Sequence, residues 1–509
     1  MRKNTVKPRR NSIIRAVFVG FSLVLQLGWL LLMILELNAY STYISLFTSL
    51  LTSLVVLRLY SKHTNSAYKI PWIMLMMALP VMGLSLYLLT EVAITPKSIR
   101  GRITSLRSRA QAYLPQEEQI LEELAIQDRS AANQCGYLWK YDHSPVYRNT
   151  KVDYFGHGAQ ALEAMKADLE QARDFIFMEY FIVEDARAFD EIREILRRKA
   201  AQGVDVRLLY DDIGSVGFAN WAFARELNGD GIRCQVFNPA VPVLNLFMNN
   251  RDHRKITVID GRVGYTGGYN LADSYFGMSF PFGLWKDTGL RLEGEAVKSL
   301  TATFLELWSV TAREEPDYER FLSVTHRTES DGFVQPYADS PLDGEQTAEN
   351  VYLNLISGAK KYVWCMTPYL IITDELSRAL ELAAKRGVDV RILTPGIPDK
   401  KAIYGVTRSY YARLVANGVR IFEYSPGFCH GKQCLVDGNM ASIGTSNLDY
   451  RSLYLHFENN VLLYACSCLK DMQRDFAETF DLCREVTDSY RSAPLRIWQC
   501  ILRLFAPML

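Results

Sequence analysis

The five-residue segment Gly-Val-Asp-Val-Arg occupies residues 203–207 and returns unchanged at residues 387–391, an offset of 184 positions. In both copies a charged, helix-like stretch leads into the glycine and an apolar run follows it, which is typical of a helix C-terminal cap before a buried strand. Apolar strand patterns at 175–183 and 362–372 come before the two helices. Each copy therefore predicts a strand, helix, strand unit, and such units join parallel strands. The predicted fold class is α/β and duplicated, with two mixed, mostly parallel sheets and flanking helices.

A second pair of matching segments carries polar residues. Residues 253–260 and 430–437 both read His-x-Lys-x-x-x-x-Asp, 177 positions apart. Asn270 and Asn447 keep the same offset, within Gly-Gly-Tyr-Asn and Gly-Thr-Ser-Asn. One copy alone would be interpreted as ordinary strand residues at a surface, but two copies in register favour a shared chemical role.

The spacing of each motif suits phosphoryl chemistry. Residues i and i+2 of a strand share a face, so His253 and Lys255 project together, as do His430 and Lys432. Two such halves, brought face to face, would surround one phosphoryl group with imidazoles, ammonium groups and asparagine amides. One histidine can attack phosphorus and the other can protonate the leaving alcohol. Lysine is a poor metal ligand, and neither His-Glu-x-x-His nor Cys-x-x-Cys occurs, so no metal site is predicted.

The motif aspartates allow two interpretations. Asp260 and Asp437 each follow an apolar run and precede a glycine. That position is equally consistent with a turn that joins two strands and with a role in orienting the site.

Length, charge and composition restrict the class of protein. The 509 residues exceed one ordinary domain of ~150 residues. The first fifteen positions hold six basic residues and no acid, which leaves a net charge of −5 on the remainder. That balance argues against a polycationic nucleic-acid binder. A hydrophobic share of 49% with 22% charged residues excludes a disordered chain. The nine scattered cysteines are interpreted as mostly reduced thiols.

Three uncharged stretches near the N-terminus are candidate transmembrane helices, at residues 16–35, 40–57 and 70–90. The first is long enough to cross the ~30 Å core of a bilayer. Basic residues before the first stretch, between the second and third, and after the third all favour the same side of the membrane. Three full crossings cannot satisfy all of them. Either one stretch is re-entrant or interfacial, or the charge rule fails once.

These patterns divide the chain into five parts. They are a membrane module at 1–92, a charged helical linker at 93–130, a first half at 131–325, a second half at 326–485 and an amphipathic tail at 486–509. In the tail, Trp498, Ile501, Leu502 and Phe505 follow helical spacing. Packing on the core and lying on a bilayer surface are both open for them.

The paired motifs resemble the HKD signature of the phospholipase D superfamily, and their surroundings resemble bacterial cardiolipin synthases. The similar segments lie at residues 179–181, 210–214, 250–255, 266–273, 285–287, 367–369 and 447–453. The likeness runs from about residue 137 to about residue 482, and the hydrophobic N-terminus, with Lys-Ile-Pro-Trp at 69–72, resembles the membrane module of these enzymes.

The resemblance implies a multi-pass phosphatidyltransferase of the cell membrane that converts two phosphatidylglycerol molecules into cardiolipin and glycerol. The implied reaction passes through a phosphohistidine and uses no metal or nucleotide cofactor. The implied catalytic residues are His253, Lys255, Asp260, His430, Lys432 and Asp437, with Asn270 and Asn447 as phosphate contacts. Superfamily analogy favours His253 as nucleophile and His430 as acid, although the sequence is symmetric on this point.

Other functions stay open at the level of sequence. A phospholipase D-type hydrolase, or a phosphatidyltransferase with another alcohol as acceptor, would share the same intermediate. A nuclease would need a basic groove, which the net charge disfavours. A non-catalytic lipid-binding scaffold would not need intact His, Lys and Asp in both copies. We therefore expect phosphatidylglycerol and membrane lipids as partners and no nucleic acid, with the oligomeric state undetermined.

Overall fold

The structure, a computed structural model, describes residues 42–62, 65–92, 97–219, 222–239, 250–329, 332–487, 502 and 503, with isolated positions between 21 and 35. Only scattered positions of the candidate span at 16–35 and four residues of the tail at 486–509 are therefore among the described residues. Within the described part of the chain, no helix has both the length and the apolar character that crossing a bilayer requires.

The N-terminal region and the linker are helical. Their helices are α1 (Thr42–Ser61), α2 (Ser66–Ala78), α3 (Pro80–Val92), α4 (Lys97–Ala110), α5 (Glu118–Gln127) and α6 (Arg129–Asp142).

The stretch at 70–90 forms two short helices rather than the one continuous segment expected from its hydropathy. Helix α2 ends just before Leu79, whose φ of −136° and ψ of 77° are not helical. Pro80 explains the break, because it lacks an N–H group and disfavours the helical conformation in the residue before it. Helix α3 then packs back on α2, with Gly83 so close to the Met76 backbone that no side chain would fit between them.

The first half of the repeat combines a sheet with flanking helices. Its strands are β1 (Thr150–Phe155), β2 (Phe175–Tyr180), β3 (Asp205–Asp211), β4 (Arg233–Phe237), β5 (Lys255–Ile259), β6 (Val263–Gly267), β7 (Leu284–Lys286) and β8 (Gly289–Gly294). Its helices are α7 (Gly158–Gln171), α8 (Arg187–Ala201), α9 (Phe223–Gly229), α10 (Val297–Ala312) and α11 (Tyr318–Leu322). Seven of these strands form one sheet in the order β1-β8-β6-β5-β2-β3-β4.

The second half repeats this plan. Its strands are β9 (Phe333–Asp339), β10 (Tyr362–Met366), β11 (Leu370–Ile371), β12 (Asp389–Pro395), β13 (Arg420–Tyr424), β14 (Gly427–Cys429), β15 (Gln433–Val436), β16 (Met440–Gly444), β17 (Leu448–Asp449), β18 (Glu458–Tyr464) and β19 (Cys483–Glu485). Its helices are α12 (Thr347–Gly358), α13 (Asp374–Lys385), α14 (Lys401–Ala416), α15 (Tyr450–Tyr454) and α16 (Cys468–Asp481). Eight strands form a sheet in the order β19-β13-β12-β10-β15-β16-β18-β9.

Both sheets are mixed, as predicted, but the expectation that they are mostly parallel is wrong. The strands joined by crossover helices, β2-β3-β4 and β10-β12-β13, pair in parallel. The other neighbours within the two described sheets are antiparallel. The motif strands explain the difference, because short turns join β5 to β6 and β15 to β16, and a short turn returns the chain antiparallel.

The two halves share one hydrophobic core. A single cluster of buried side chains combines Phe177 and Leu292 of the first half with Leu435 and Phe457 of the second. Helices α5 and α6 precede strand β1 of the first half in the chain, yet their apolar side chains pack on the second half. The duplicated units are therefore interlocked, and the motif strands of both lie close to their shared boundary.

Candidate active site

The backbone of each motif histidine is held by the opposite half. The His253 N–H donates to the Phe457 carbonyl at 2.9 Å, and the Phe457 N–H donates to the Arg251 carbonyl at 2.9 Å. On the other side, β14 pairs in parallel with β7 of the first half. Just beyond that pair, the His430 N–H donates to the Lys286 carbonyl at 2.7 Å. Both motifs are thus placed by contacts that neither half can make alone.

A carboxylate from the opposite half also holds each imidazole. Nδ1 of His253 lies 2.9 Å from both carboxylate oxygens of Glu458. Nδ1 of His430 lies 2.7 Å from Oδ2 of Asp287. With Nδ1 engaged in this way, Nε2 of each ring is the nitrogen available for chemistry. Sequence reasoning missed both carboxylates as site residues, although Trp285-Lys286-Asp287 and His456-Phe457-Glu458 share an aromatic-x-carboxylate pattern.

The two motif lysines lie beneath the histidines. Nζ of Lys255 donates to the His253 carbonyl, and Nζ of Lys432 donates to the His430 carbonyl and lies 3.0 Å from Nε2 of His430. Burial lowers the pKa of Lys255 to about 7, although Glu458 opposes the shift. Burial also lowers the pKa of Lys432 to about 8, against the opposing effect of Asp287. A bound phosphoryl anion would favour the charged form of both lysines.

The electrostatic surroundings of the two histidines differ. Burial and then Lys255 hold the pKa of His253 well below its ordinary value. Burial and then Lys432 lower the pKa of His430 to about 4, while Asp287 opposes them. Burial disfavours ionisation of Asp287, but His430 and Lys432 outweigh it and its pKa lies below the usual value. Burial instead raises the pKa of Glu458 well above its usual value, with only partial compensation from Lys255. His430 therefore faces a carboxylate whose pKa is lowered, whereas His253 faces a carboxyl group whose pKa is raised.

The motif aspartates lie at the far ends of their strands, away from the histidines. Asp260 has a φ of 52° in the turn after β5, and its side chain accepts the backbone N–H groups of residues 173–175 at 2.8 to 2.9 Å. Asp437 has the same φ after β15 and accepts the N–H groups of residues 360–362 at 2.6 to 2.9 Å. The structure therefore does not bring these two predicted catalytic residues to the site. Each one instead fastens the start of the neighbouring strand.

The two predicted phosphate-contact asparagines do reach the site. Asn270 and Asn447 border the cavity that contains both motif histidines. Oδ1 of Asn270 accepts the Ile182 N–H at 3.1 Å, and Nδ2 of Asn447 donates to Asp449 at 3.0 Å. Oδ1 of Asn447 is buried and has no hydrogen-bond partner among the described residues. Both amides are therefore positioned by the protein, and both are within the pocket.

The cavity itself has a volume of about 1020 Å³ and lies between the halves. Its charged lining combines three basic with four acidic side chains, Arg251, Lys400 and Arg451 with Glu184, Asp273, Asp399 and Asp449, and its aromatic lining includes Phe181 and Trp285. Charged groups of both signs and aromatic surface in one pocket suit a substrate with a polar headgroup and an apolar portion.

His456 is a third histidine in this cavity. Together with His253 and Glu458 it forms, among the described residues, a group whose potential metal-ligating atoms lie within 4.8 Å of one another. The cationic side chain of Lys255 acts on both His253 and His456 and disfavours further positive charge there.

Two motif histidines that border one cavity, each with a buried lysine in contact with it, across a duplicated α/β fold define a class of phosphoryl-transfer enzyme. Comparison with known sequences agrees. The family described as "Cardiolipin synthase, PLD-like domain" matches residues 165–308 and 352–480. Cardiolipin synthase 2 of Bacillus anthracis is 35% identical over 467 residues, which is 89% of both chains. Cardiolipin synthase of Geobacillus kaustophilus is 37% identical over 378 residues, covering 73% of this chain and 75% of the relative.

A solved structure supports the fold. Phosphatidylserine synthase of Haemophilus influenzae superposes with a TM-score of 0.57 over 74% of this chain and all of its own, at 15% identity. The chain therefore belongs to the cardiolipin synthase family of phospholipase D-like proteins, and it is an enzyme of the phosphatidyltransferase class.

Proposed function

We propose that this chain synthesises cardiolipin from two phosphatidylglycerol molecules and releases glycerol. The observation that carries the proposal is the crossed arrangement of the site. Each motif histidine is held by a carboxylate from the opposite half, and both histidines border one cavity. The relatives named cardiolipin synthase support the choice of lipid.

The proposed reaction has two balanced steps. Nε2 of His253 attacks phosphorus of the first phosphatidylglycerol, the bond from phosphorus to the glycerol oxygen breaks, and His430 gives that oxygen its proton. A hydroxyl group of the second phosphatidylglycerol then returns a proton to His430 as its oxygen bonds to phosphorus and the phosphorus–nitrogen bond breaks. Lys255 and Lys432 offset the negative charge that develops on the phosphoryl oxygens.

The difference between the two carboxylates supports this choice of nucleophile. A nucleophilic imidazole must be neutral, and the Glu458 carboxyl group, with its raised pKa, does not favour a charged partner. A general acid must carry a proton, and ionised Asp287 at 2.7 Å is the group that opposes the lowering of the His430 pKa to about 4 by burial and Lys432. An incoming phosphodiester anion adds to that stabilisation. The catalytic roles of Lys255, Lys432, Asn270 and Asn447 belong to the same proposal.

We also propose that the enzyme is attached to the cell membrane through several N-terminal spans, with its cavity facing lipid. Apolar side chains at the cavity mouth support this placement. Phe280 is 58% exposed and borders the cavity, and Leu284 is 53% exposed on the neighbouring strand. The Tyr68 hydroxyl of α2 donates to the carbonyl of Tyr450, which also borders the cavity, so the apolar helices lie beside it.

Binding to vesicles tests the membrane surface. The double variant Phe280→Ser, Leu284→Ser should bind phosphatidylglycerol vesicles more weakly than the wild-type protein, because apolar area entering a bilayer stabilises attachment. Ile126→Ser is the matched control, since Ile126 is 88% exposed on α5 and does not border the cavity. Equal loss of binding in both variants would contradict the proposed contact.

Product analysis tests the proposed reaction. Purified protein in phosphatidylglycerol bilayers, with no added metal or nucleotide, should produce cardiolipin and glycerol in equal amounts. His253→Ala and His430→Ala should produce neither. Phosphatidic acid as the main product would identify a hydrolase instead, and unchanged lipid with folded protein would favour a different substrate or a lipid-binding scaffold.

A further inference from the structure

The site has an approximate twofold symmetry that one residue breaks. Trp285 lies two positions before Asp287, and its ring centroid is 5.4 Å from that of His430, with 48° between the planes. His456 lies two positions before Glu458, and its ring centroid is 5.4 Å from that of His253, with 44° between the planes. The two rings are equivalent in place, but one is an indole and the other an imidazole.

The hydrogen-bonding state of these two rings also differs. The indole N–H of Trp285 is directed at Asp287, 3.4 Å away. His456 is only 8% exposed, yet neither of its ring nitrogens has a hydrogen-bond partner among the described residues. Buried polar groups normally have a partner, and one that lacks a protein partner inside a substrate cavity is available to the substrate.

The charge state of His456 restricts what that substrate group can be. Burial, followed by Arg451 and Lys255, holds the pKa of His456 well below its ordinary value. A neutral imidazole carries one N–H donor and one acceptor nitrogen. Positive charges surround His456, since Arg451, Lys255 and Lys400 all act on it, whereas Arg251 is itself paired with Asp211. The potential beside His456 therefore favours an anion, and an anion needs hydrogen-bond donors.

We propose that the N–H of His456 donates a hydrogen bond to a non-bridging oxygen of the phosphoryl group while that group is bonded to His253. The inference rests on the proposed function and extends it, because it gives the two sides of a symmetric site different tasks. The His253 side has a spare donor for the phosphohistidine, whereas the His430 side presents an indole and an ionised carboxylate to the alcohol. No proton is transferred by His456 in this role.

The experiment uses phosphatidylglycerol labelled at phosphorus and measures the rate at which the label becomes covalently attached to the enzyme in a single turnover. The proteins compared are the wild type, His456→Phe, His456→Asn and Trp285→Phe. His456→Phe keeps a ring and loses the donor, and should slow formation of the labelled enzyme by at least about tenfold, the loss expected for one hydrogen bond to a charged group. His456→Asn keeps an N–H donor and should recover most of that rate. Trp285→Phe removes the corresponding N–H on the other side and should reduce the rate less than His456→Phe.

The outcomes separate the inference from the function on which it rests. A wild-type rate in His456→Phe would overturn the inference, and so would an Asn variant as slow as the Phe variant, because either result leaves no role for the donor. Wild-type protein that makes cardiolipin without any labelled histidine, or makes no cardiolipin, would overturn the proposed function itself. Thermal unfolding of each variant verifies that the compared proteins are folded.

Discussion

Replacing the two crossed carboxylates by their amides should have unequal effects. Asp287 is ionised and holds His430 at 2.7 Å, whereas the pKa of Glu458 is raised well above its usual value. Asp287→Asn therefore removes a charge that supports the general acid, while Glu458→Gln replaces a carboxyl group whose charged form is disfavoured by burial. We expect the larger loss of activity in Asp287→Asn.

The size of that loss follows from the contact. A hydrogen bond to a charged group contributes about 1.5 to 3 kcal/mol, and about 1.4 kcal/mol corresponds to a factor of ten in rate. Asp287→Asn should therefore reduce kcat by about 10- to 150-fold. Glu458→Gln alters a contact in which burial disfavours the carboxylate charge, and the smaller expected loss of about 0.5 to 1.5 kcal/mol corresponds to about 2- to 13-fold in rate.

The assay is the rate of glycerol release in a single turnover, measured beside cardiolipin formation, with thermal unfolding as a check on folding. Glycerol release reports protonation of the leaving alcohol, which is the step assigned to His430. A greater loss of glycerol release in Glu458→Gln than in Asp287→Asn would reverse the assignment of acid and nucleophile. Equal losses would show that the two carboxylates have the same charge state, contrary to the reasoning.

Three further outcomes are expected. Asp260→Ala removes a side chain that accepts three backbone N–H groups and should lower the free energy of unfolding by about 2 to 4 kcal/mol. The kcat per folded molecule should stay near normal. Denaturant unfolding measures the stability and active-site titration the kcat, and a stable but inactive variant would contradict the structural role. The pKa values of about 7 for Lys255 and about 8 for Lys432 predict that kcat/KM falls as pH rises through this range, because the free enzyme loses the positive charges that bind phosphate. A kcat/KM profile that stays level to high pH would refute this prediction. A chelator such as EDTA should leave the rate unchanged, since lysines supply the positive charge, and loss of activity on chelation would contradict this reasoning. Excess Zn²⁺ should inhibit the wild-type protein more than His456→Asn, because it would occupy the group formed by His253, His456 and Glu458.

The sequence predicts the parts of the site that follow from local periodicity. Alternation along a strand places His253 and Lys255 on one face. The constant offset of 177 identifies the second His-Lys pair and the two asparagines. Both pairs of motif residues and both asparagines lie around one boundary between the halves, and the strand, helix, strand units are present in each half.

The parts that the sequence did not predict depend on contacts between distant segments. Asp287 and Glu458 are 143 and 205 residues from the histidines that they hold, and they are 171 positions apart rather than 177, so the motif offset does not identify them. The same motif pattern places Asp260 beside the catalytic residues in sequence, whereas the extended strand β5 carries it to the opposite end. The prediction of mostly parallel sheets is wrong because the repeated Gly-Val-Asp-Val-Arg segment belongs to the strand, helix, strand crossovers. The remaining strands of each sheet are joined in other ways and pair antiparallel.

The backbone of each motif histidine is hydrogen-bonded to the opposite half, so the activity requires both halves. A fragment that ends between β8 and β9 would contain one complete motif but no orienting carboxylate and no backbone acceptor for its histidine. Activity should return when the two fragments are combined, and both histidines should be restored in the same event. A protein with a single repeat would face the same requirement, and a pair of identical chains could meet it. Two repeats in one polypeptide therefore keep together the two sets of site residues that separate chains would have to bring together by association.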